Sequence, residues 1–385
     1  MARASKVKAA VPELAAIRSR IDEVDRQIQE LISERARYAQ QVGISKGELA
    51  SAVDYYRPER EAEVLRGVIA RNKGPLRDEE MLRLFREIMS ACLAQQEPLK
   101  ISYLGPEGTF TQSAVYKHFG HSVRGLPFSS IDEVFQEVEC GAADFGVVPI
   151  ENSTEGTVNH TLDMFLTSPL KIGGEIELRI EQHLLGSMPS LEHVERICAH
   201  QQSLAQCRGW LREYLPQAEL IGVSSNAAGA RRARDEKGTA AIGGEAAAEV
   251  YDLKILVNNI EDQSDNTTRF LVIGRELLTA SGDDKTTILV STVGTGGAGV
   301  LHALLQPFSV HGVNMTRIES RPSRKKNWDY VFFIDLEGHA GDAALSAALA
   351  ELEVADQHLH ALAVAGIAHG LVVHGFHPCA KAVAE

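Results

Sequence analysis

Long apolar runs are missing from this chain, and none approaches the length that a membrane-spanning helix requires, so no transmembrane segment is expected. Cysteine is scarce and odd in number: Cys92, Cys140, Cys198, Cys207 and Cys379 form no C-x-x-C pair. That argues against a disulfide framework or a zinc module and favours reduced thiols in the cytoplasm. Positive charge is also short, with 39 Lys and Arg against 52 Asp and Glu and a formal net charge of −13. A field of that sign excludes nucleic acid or an anionic membrane as the main partner, while local arginines can still hold small anions. The first ten residues carry three basic side chains with no apolar core after them, so no secretory signal is expected. What is present, 44% hydrophobic and 24% charged residues over 385 positions, suits two or three domains with separate cores.

Three compositional regimes follow one another without an internal repeat. Residues 11–97 read as helices. Leu14, Ile21, Ile28 and Ile17, Val24, Leu31 form two seven-residue series, the seam of a long helix packed along partner helices. A second helix is predicted after Arg57, with Pro58 in its first turn. A third runs from about Asp78 to Gln96 beyond the turn Asn72-Lys73-Gly74-Pro75. Glu97-Pro98-Leu99 reads as a linker. Over 100–278 short strands at Ile101, Phe145, Lys171 and Phe270 alternate with helices near 111–119, 131–140, 203–214 and 226–236, an α/β domain. Residues 285–366 then show the βαββαβ order of a small ferredoxin-like module: strand 286–293, helix 298–309, strands 313–320 and 328–336, helix 341–353.

The first chemistry lies in the helical seam. Its next position after Ile28 is Arg35, a costly residue in an apolar stripe unless it reaches solvent, an acid or an anionic ligand. Lys46 follows eleven residues on, close to three turns, and so shares nearly the same face about 16 Å along the axis. Arg18 is about 25 Å from Arg35 on the same helix. If all three serve one anion, Arg18 must come from a second protomer, which predicts an intertwined dimer.

The run Ile17-Arg-Ser-Arg-Ile-Asp, Glu34-Arg35, Gly43-Ile-Ser-Lys46 and Arg57-Pro-Glu-Arg60-Glu61 resembles the all-helical chorismate mutases. The resemblance implies that Arg35 and the partner's Arg18 grip the two carboxylates of chorismate. It implies that Lys46 and Gln96 donate to the ether oxygen, that Arg60 assists charge placement and that Glu61 takes the substrate hydroxyl. The rearrangement is unimolecular and calls only for a compact conformer and charge stabilisation, without nucleophile, metal or cofactor. Cys92 stands where that family has serine, and Arg57 where it has aspartate. Gly43-Ile-Ser-Lys-Gly47 also matches the G-x-S-x-G of hydrolases, but a helix precedes it where a nucleophile elbow needs a strand.

The second chemistry is spread over 101–277. Tyr103 to Val115 reads as strand, glycine turn and helix start, which puts free N–H groups and the hydroxyls of Thr109 and Thr111 where a carboxylate can bind. Ser224-Ser225-Asn226 repeats the design, and each alone is more often an ordinary cap. These runs, with Val147-Val-Pro-Ile-Glu-Asn-Ser-Thr-Glu-Gly156, His200-Gln-Gln-Ser-Leu-Ala-Gln-Cys207 and Asn266-Thr-Thr-Arg-Phe270, resemble prephenate dehydratase. Gln201 replaces a usual proline. The resemblance implies two α/β lobes around a cleft, as in periplasmic binding proteins, with lobes 100–180 plus 255–278 and 181–254. It implies Thr268 as the group acting on the leaving hydroxyl of prephenate and Glu151 and Asn152 as its frame, with Thr109, Thr111 or Ser225 holding the remaining carboxylate. Arg269 is open between a substrate contact and a structural ion pair.

The third module contains Gly294-Thr-Gly-Gly-Ala-Gly299, a literal G-x-G-x-x-G, with Glu319 twenty residues beyond. A mutase fused to an NAD-dependent prephenate dehydrogenase is therefore an alternative, as is a non-catalytic regulator that binds aromatic metabolites. Only 86 residues follow Gly299, too few for the second half of a dinucleotide-binding domain. Gly297-Ala298-Gly299-Val300 and Glu319-Ser320-Arg321-Pro322 instead resemble the ACT regulatory domain. In dehydratases the two runs imply an L-phenylalanine site between paired domains. His339, His358, His360, His369, His374 and His377 match no standard ligand spacing, so no metal is expected. The chain as a whole resembles the bifunctional chorismate mutase/prephenate dehydratases, which implies feedback by L-phenylalanine and a homodimer or higher even oligomer.

Overall fold

The computed structural model describes residues 14–46, 56–276, 279–291, 298–323, 330–355 and 361–363. The helical region is built from α1 (Leu14–Lys46), α2 (Pro58–Arg71) and α3 (Asp78–Leu93). Pro58 opens α2 with its ring-fixed φ and no donor to waste, and Glu59 and Glu61 in that turn oppose the helix dipole. Asp78, Glu79 and Glu80 do the same for α3. The helix α3 packs on α2 and on the C-terminal part of α1. Residues 14–34 of α1 are exposed, and partial burial begins only at Arg35. Both heptad series are therefore bare: Ile21 is 53% and Leu31 64% exposed.

The α/β region contains β1 (Lys100–Leu104), α4 (Phe110–Phe119), β2 (Arg124–Phe128), α5 (Ile131–Glu139), β3 (Phe145–Asn152), β4 (Gly156–Thr157), α6 (Asn159–Met164) and β5 (Lys171–Arg179). It continues with β6 (His183–Gly186), β7 (Arg196–His200), α7 (Gln201–Gln206), α8 (Arg208–Tyr214), β8 (Glu219–Val223), α9 (Asn226–Asp235), β9 (Thr239–Gly243), α10 (Glu245–Val250), β10 (Lys254–Val257) and β11 (Thr267–Gly274). Two sheets result, ordered β2-β1-β3-β11-β5, with β4 beside β3, and β10-β6-β9-β7-β8. These are the two lobes. The chain passes from the first sheet to the second between Arg179 and His183 and returns between Val257 and Thr267. Strand β10 pairs antiparallel with β6, Lys254 opposite Gly186, and so belongs to the second lobe. The single helix expected over 203–214 is two, because Cys207 leaves helical geometry at φ −110°, ψ 11°.

The third region is β12 (Lys285–Ser291), α11 (Val300–Val310), β13 (Met315–Pro322), β14 (Tyr330–Glu337), α12 (Ala343–Ala355) and β15 (Ala361–Ala363). Its sheet order, β13-β14-β12-β15, is the ferredoxin-like one. This module is not separately cored on every side. Leu289, Val331 and Phe333 share one apolar cluster with Ile150, Leu162, Phe165 and Leu271 of the first lobe. Gly297, residues 294–296, the last three residues of the expected 285–366 module, and His358, His360, His369, His374, His377 and Cys379 lie outside the described residues.

Candidate active sites

In the helical region the structure brings Gln96 to α1. Its Nε2 donates to the Ala39 carbonyl at 2.7 Å, one turn after Arg35, and its buried Oε1 has no partner. A Cβ on Gly43 would stand 3.0 Å from the Gln96 side chain, so this glycine is clearance for Gln96 and not part of a nucleophile elbow. Arg35 is half-buried and Arg18 is exposed on the free stretch of α1, while Lys46 closes the helix. Arg60 points outward and pairs with Glu63. Glu61 turns inward to Arg86 of α3 at 3.5 Å, and burial pushes its carboxyl up while Arg86 pulls it back. Arg86 was not legible as a site residue, since a lone arginine in an amphipathic helix carries no signal. Glu61 and Arg86 line a small cavity with Tyr56, Ser90, Phe119 and Val123, at the joint with the first lobe.

In the first lobe β3 and β11 run antiparallel with Thr268 opposite Asn152 and Arg269 opposite Glu151. Successive side chains on a strand point to opposite faces, so the two rungs face different ways. On one face Asn152 Nδ2 donates to Thr268 Oγ1 and to Asn266 Oδ1, each at 2.8 Å. The Asn152 carbonyl oxygen accepts the backbone N–H groups of Thr154 and Glu155, both at 3.0 Å, which fixes which end of the amide meets Thr268. Thr268 thus accepts a hydrogen bond and keeps its own proton to donate. Asn266 belongs to a quoted motif, but its supporting role follows only from this geometry.

The other rung is an ion cluster. Arg269 meets Glu151 at 3.0 Å, Glu175 at 2.5 Å and Asp335 at 3.2 Å. Burial alone would lower the guanidinium, but Glu175 and Asp335 outweigh it and hold it above its ordinary value. Lys285 joins through Glu175 and Arg317 through Glu151. Arg269 makes the structural ion pair that is one of its two alternatives. Glu151 also sits in this cluster, on the rung away from Thr268. A buried charge left without its partner is expensive, so the cluster holds the third region against the first lobe as a unit.

The carboxylate candidates stand at the opening between the lobes. Thr109 is the N-cap of α4 and donates to the Leu104 carbonyl at 3.3 Å, and Thr111 is buried in the first turn of that helix. Ser225 caps α9, accepting from the Ala228 N–H at 3.0 Å. The lobes touch here: Tyr251 donates to the Glu107 carbonyl at 3.1 Å, and Gly108, at φ +82°, lies against Ala247 where a side chain would collide. Behind Ser225, Asn226 and Gln182 both donate to Ser203, at 2.8 and 3.2 Å. In the third region Gly299 opens α11 at φ +89°, a left-handed conformation that suits glycine. Glu319 accepts from Thr157 at 3.0 Å and Arg321 grips both carboxylate oxygens of Asp163 at 2.9 Å. The expected effector strand is thus also a docking strand. No His, Cys, Asp or Glu group among the described residues could hold a metal ion.

Comparison with known proteins accounts for all three regions. Residues 17–97 match the family model "Chorismate mutase type II", 101–277 "Prephenate dehydratase" and 288–354 "ACT domain". The chain is 55% identical over 331 residues to the bifunctional chorismate mutase/prephenate dehydratase of Pseudomonas aeruginosa, covering 85% of this chain and 90% of that protein. It belongs to that bifunctional family. The member from Stutzerimonas stutzeri is 54% identical, over 88% of this chain and 94% of its own. The prephenate dehydratase of Arthrobacter aurescens, solved in complex with L-Phe, superposes at a TM-score of 0.64 with 34% identity, covering 72% of this chain and 93% of that one. The three family segments coincide with the helical, two-lobed and ferredoxin-like regions described above.

Proposed function

We propose that the chain converts chorismate to prephenate in its helical domain and prephenate to phenylpyruvate between the two lobes, under feedback by L-phenylalanine. The observation that carries the reading is the co-occurrence, in one chain, of Arg35 on α1 and Gln96 in the turn after α3 with the Asn152–Thr268 pair on adjoining strands. Arg35, Lys46 and Gln96 select the compact conformer and stabilise charge on the breaking ether, with Arg60 placing charge and Glu61 taking the hydroxyl. Thr268 donates a hydrogen bond to the departing hydroxyl of prephenate and relays to it a proton taken up from solvent, so that the hydroxyl leaves as water while the ring carboxylate leaves as carbon dioxide. Asn152 holds the threonine, and Thr109, Thr111 or Ser225 holds the carboxylate that stays. The effector site takes Gly297 to Val300 and Glu319 to Pro322. Chorismate supplied alone, without nucleotide, is expected to yield phenylpyruvate. Accumulation of prephenate that is oxidised only with NAD would replace this reading with the dehydrogenase one, and binding without turnover would leave a regulator.

The bare seam of α1 supports a homodimer, because exposed Leu and Ile at heptad spacing cost water contact that a second copy removes. It also brings the partner's Arg18 to Arg35. Ile21→Asp in this seam is expected to yield monomers in sedimentation and to lower mutase turnover about 100-fold, the cost of one lost charge contact to the transition state. An unchanged sedimentation coefficient would place the interface elsewhere. No helix among the described residues is long and apolar enough to cross a membrane, and with the thiol pattern this supports a cytoplasmic enzyme.

The Glu61 carboxyl carries a pH prediction. It must be ionised to accept the substrate hydroxyl, and burial raises it from the ordinary 4.5. Mutase kcat/KM therefore falls with decreasing pH along a limb that starts above the ordinary Glu range. A pH profile of Glu61→Gln is expected to lack that limb, and its persistence would assign the titration to another group.

A further inference from the structure

We infer that Arg317 is the positioning residue through which the third domain acts on the dehydratase site. The inference rests on the feedback reading above and names its route. Arg317, Glu319 and Arg321 occupy alternate positions of β13 and so share a face, and that face is applied to the first lobe. Arg317 Nη2 donates to Thr157 Oγ1 at 3.1 Å, and its Nε lies 3.2 Å from Glu151 Oε2. The same carboxylate oxygen takes Arg269 Nη1 at 3.0 Å. Glu151 is thus held in common by a cation of the dehydratase lobe and a cation of the regulatory sheet, and Arg317 itself is only 11% exposed.

The next residues in each strand are the reacting pair. Asn152 follows Glu151 in β3, and Thr268 precedes Arg269 in β11, where Asn152 Nδ2 meets Thr268 Oγ1 at 2.8 Å. Consecutive Cα atoms are about 3.8 Å apart on a chain with two soft dihedrals per residue, so a pull on Glu151 is felt at Asn152. A side-chain hydrogen bond weakens steeply with angle, so a small swing of Asn152 suffices to misplace the threonine proton. Ser320 and Pro322 are exposed on β13, beyond Arg317 in the same strand, and an amino acid bound there displaces the strand that carries the arginine. Arg321 pivots the far end on Asp163, at 2.9 Å, which turns displacement near the effector into movement at Arg317. The pairing is intramolecular, short and partly dry, so it conveys movement better than a solvated surface pair would.

The test uses the full chain with Arg317→Gln and Arg317→Lys, reading L-phenylalanine binding by calorimetry, phenylpyruvate formation, and mutase rate as a control for folding. Inhibitory coupling between sites is commonly about 5–150-fold. Arg317→Gln is expected to bind L-phenylalanine, to keep its basal dehydratase kcat and to lose nearly all of the inhibition, with Arg317→Lys restoring part of it through the charge on Glu151. A glutamine variant that binds and is inhibited like the parent overturns the inference and leaves feedback standing. One that no longer binds L-phenylalanine also overturns it, by placing Arg317 in the effector site. A variant that loses basal dehydration with an intact mutase overturns it too, by making the arginine part of the site's static support. A parent protein that neither binds nor responds to L-phenylalanine removes the feedback reading itself.

Discussion

Lys46→Ala lowers kcat/KM for the chorismate rearrangement by about 10²–10³-fold, the usual cost of removing one donor aimed at developing oxyanion charge, and leaves prephenate dehydration unchanged. The ether oxygen is where negative charge appears as the bond breaks, and a lysine there acts as a compact point charge. Gln96 cannot substitute for it. One of its two amide protons is committed to the Ala39 carbonyl at 2.7 Å, which leaves a single neutral donor for the ether. The loss is expected in kcat more than in KM, since on the proposed reading ground-state grip falls to Arg35 and to Arg18 of a second copy. Single-turnover kinetics separate the two, and a loss confined to KM would move Lys46 to the carboxylates.

Thr268→Ala has the mirror effect: dehydration falls by about 10²–10⁴-fold, the typical contribution of a positioned proton donor, while the mutase is untouched. A threonine hydroxyl is a weak acid, so its value lies in where its proton points. Asn152 donates to it, and the Asn152 amide cannot flip without abandoning the N–H groups of Thr154 and Glu155. Thr268→Ser keeps the hydroxyl and should retain most of the rate, whereas Asn152→Ala should lose much of it with the threonine in place. If either Lys46→Ala or Thr268→Ala abolished both activities in a folded protein, the assignment of two separate sites would be wrong.

Much of this was legible in the sequence because it was periodic or motif-borne. Heptads located α1, Pro58 and Asp78 located the next two helices, and the βαββαβ order survived intact into the third region. The second lobe was harder. Its strands at β6 to β10 are only four or five residues long, and β9 is mostly alanine and glycine, so neither length nor alternation set them apart from loops. The site residues divide the same way. Thr268 and Asn152 could be named from their motifs, but which face of the strand each used depended on register, which no single strand reveals. Register is what separates the Asn152–Thr268 rung from the Glu151–Arg269 rung. Arg86 and Arg317 were invisible as functional groups, because each draws its meaning from a partner supplied by a distant segment.

The apolar cluster that runs from Phe165 and Leu271 into Val331 and Phe333 means that a boundary clear in the sequence is absent from the unfolding reaction. Separating those surfaces exposes large aliphatic and aromatic side chains on both sides at once, and takes Lys285 from Glu175 and Arg269 from Asp335. The first lobe and the regulatory sheet should therefore melt in one cooperative step, and a calorimetric trace resolves them as one peak.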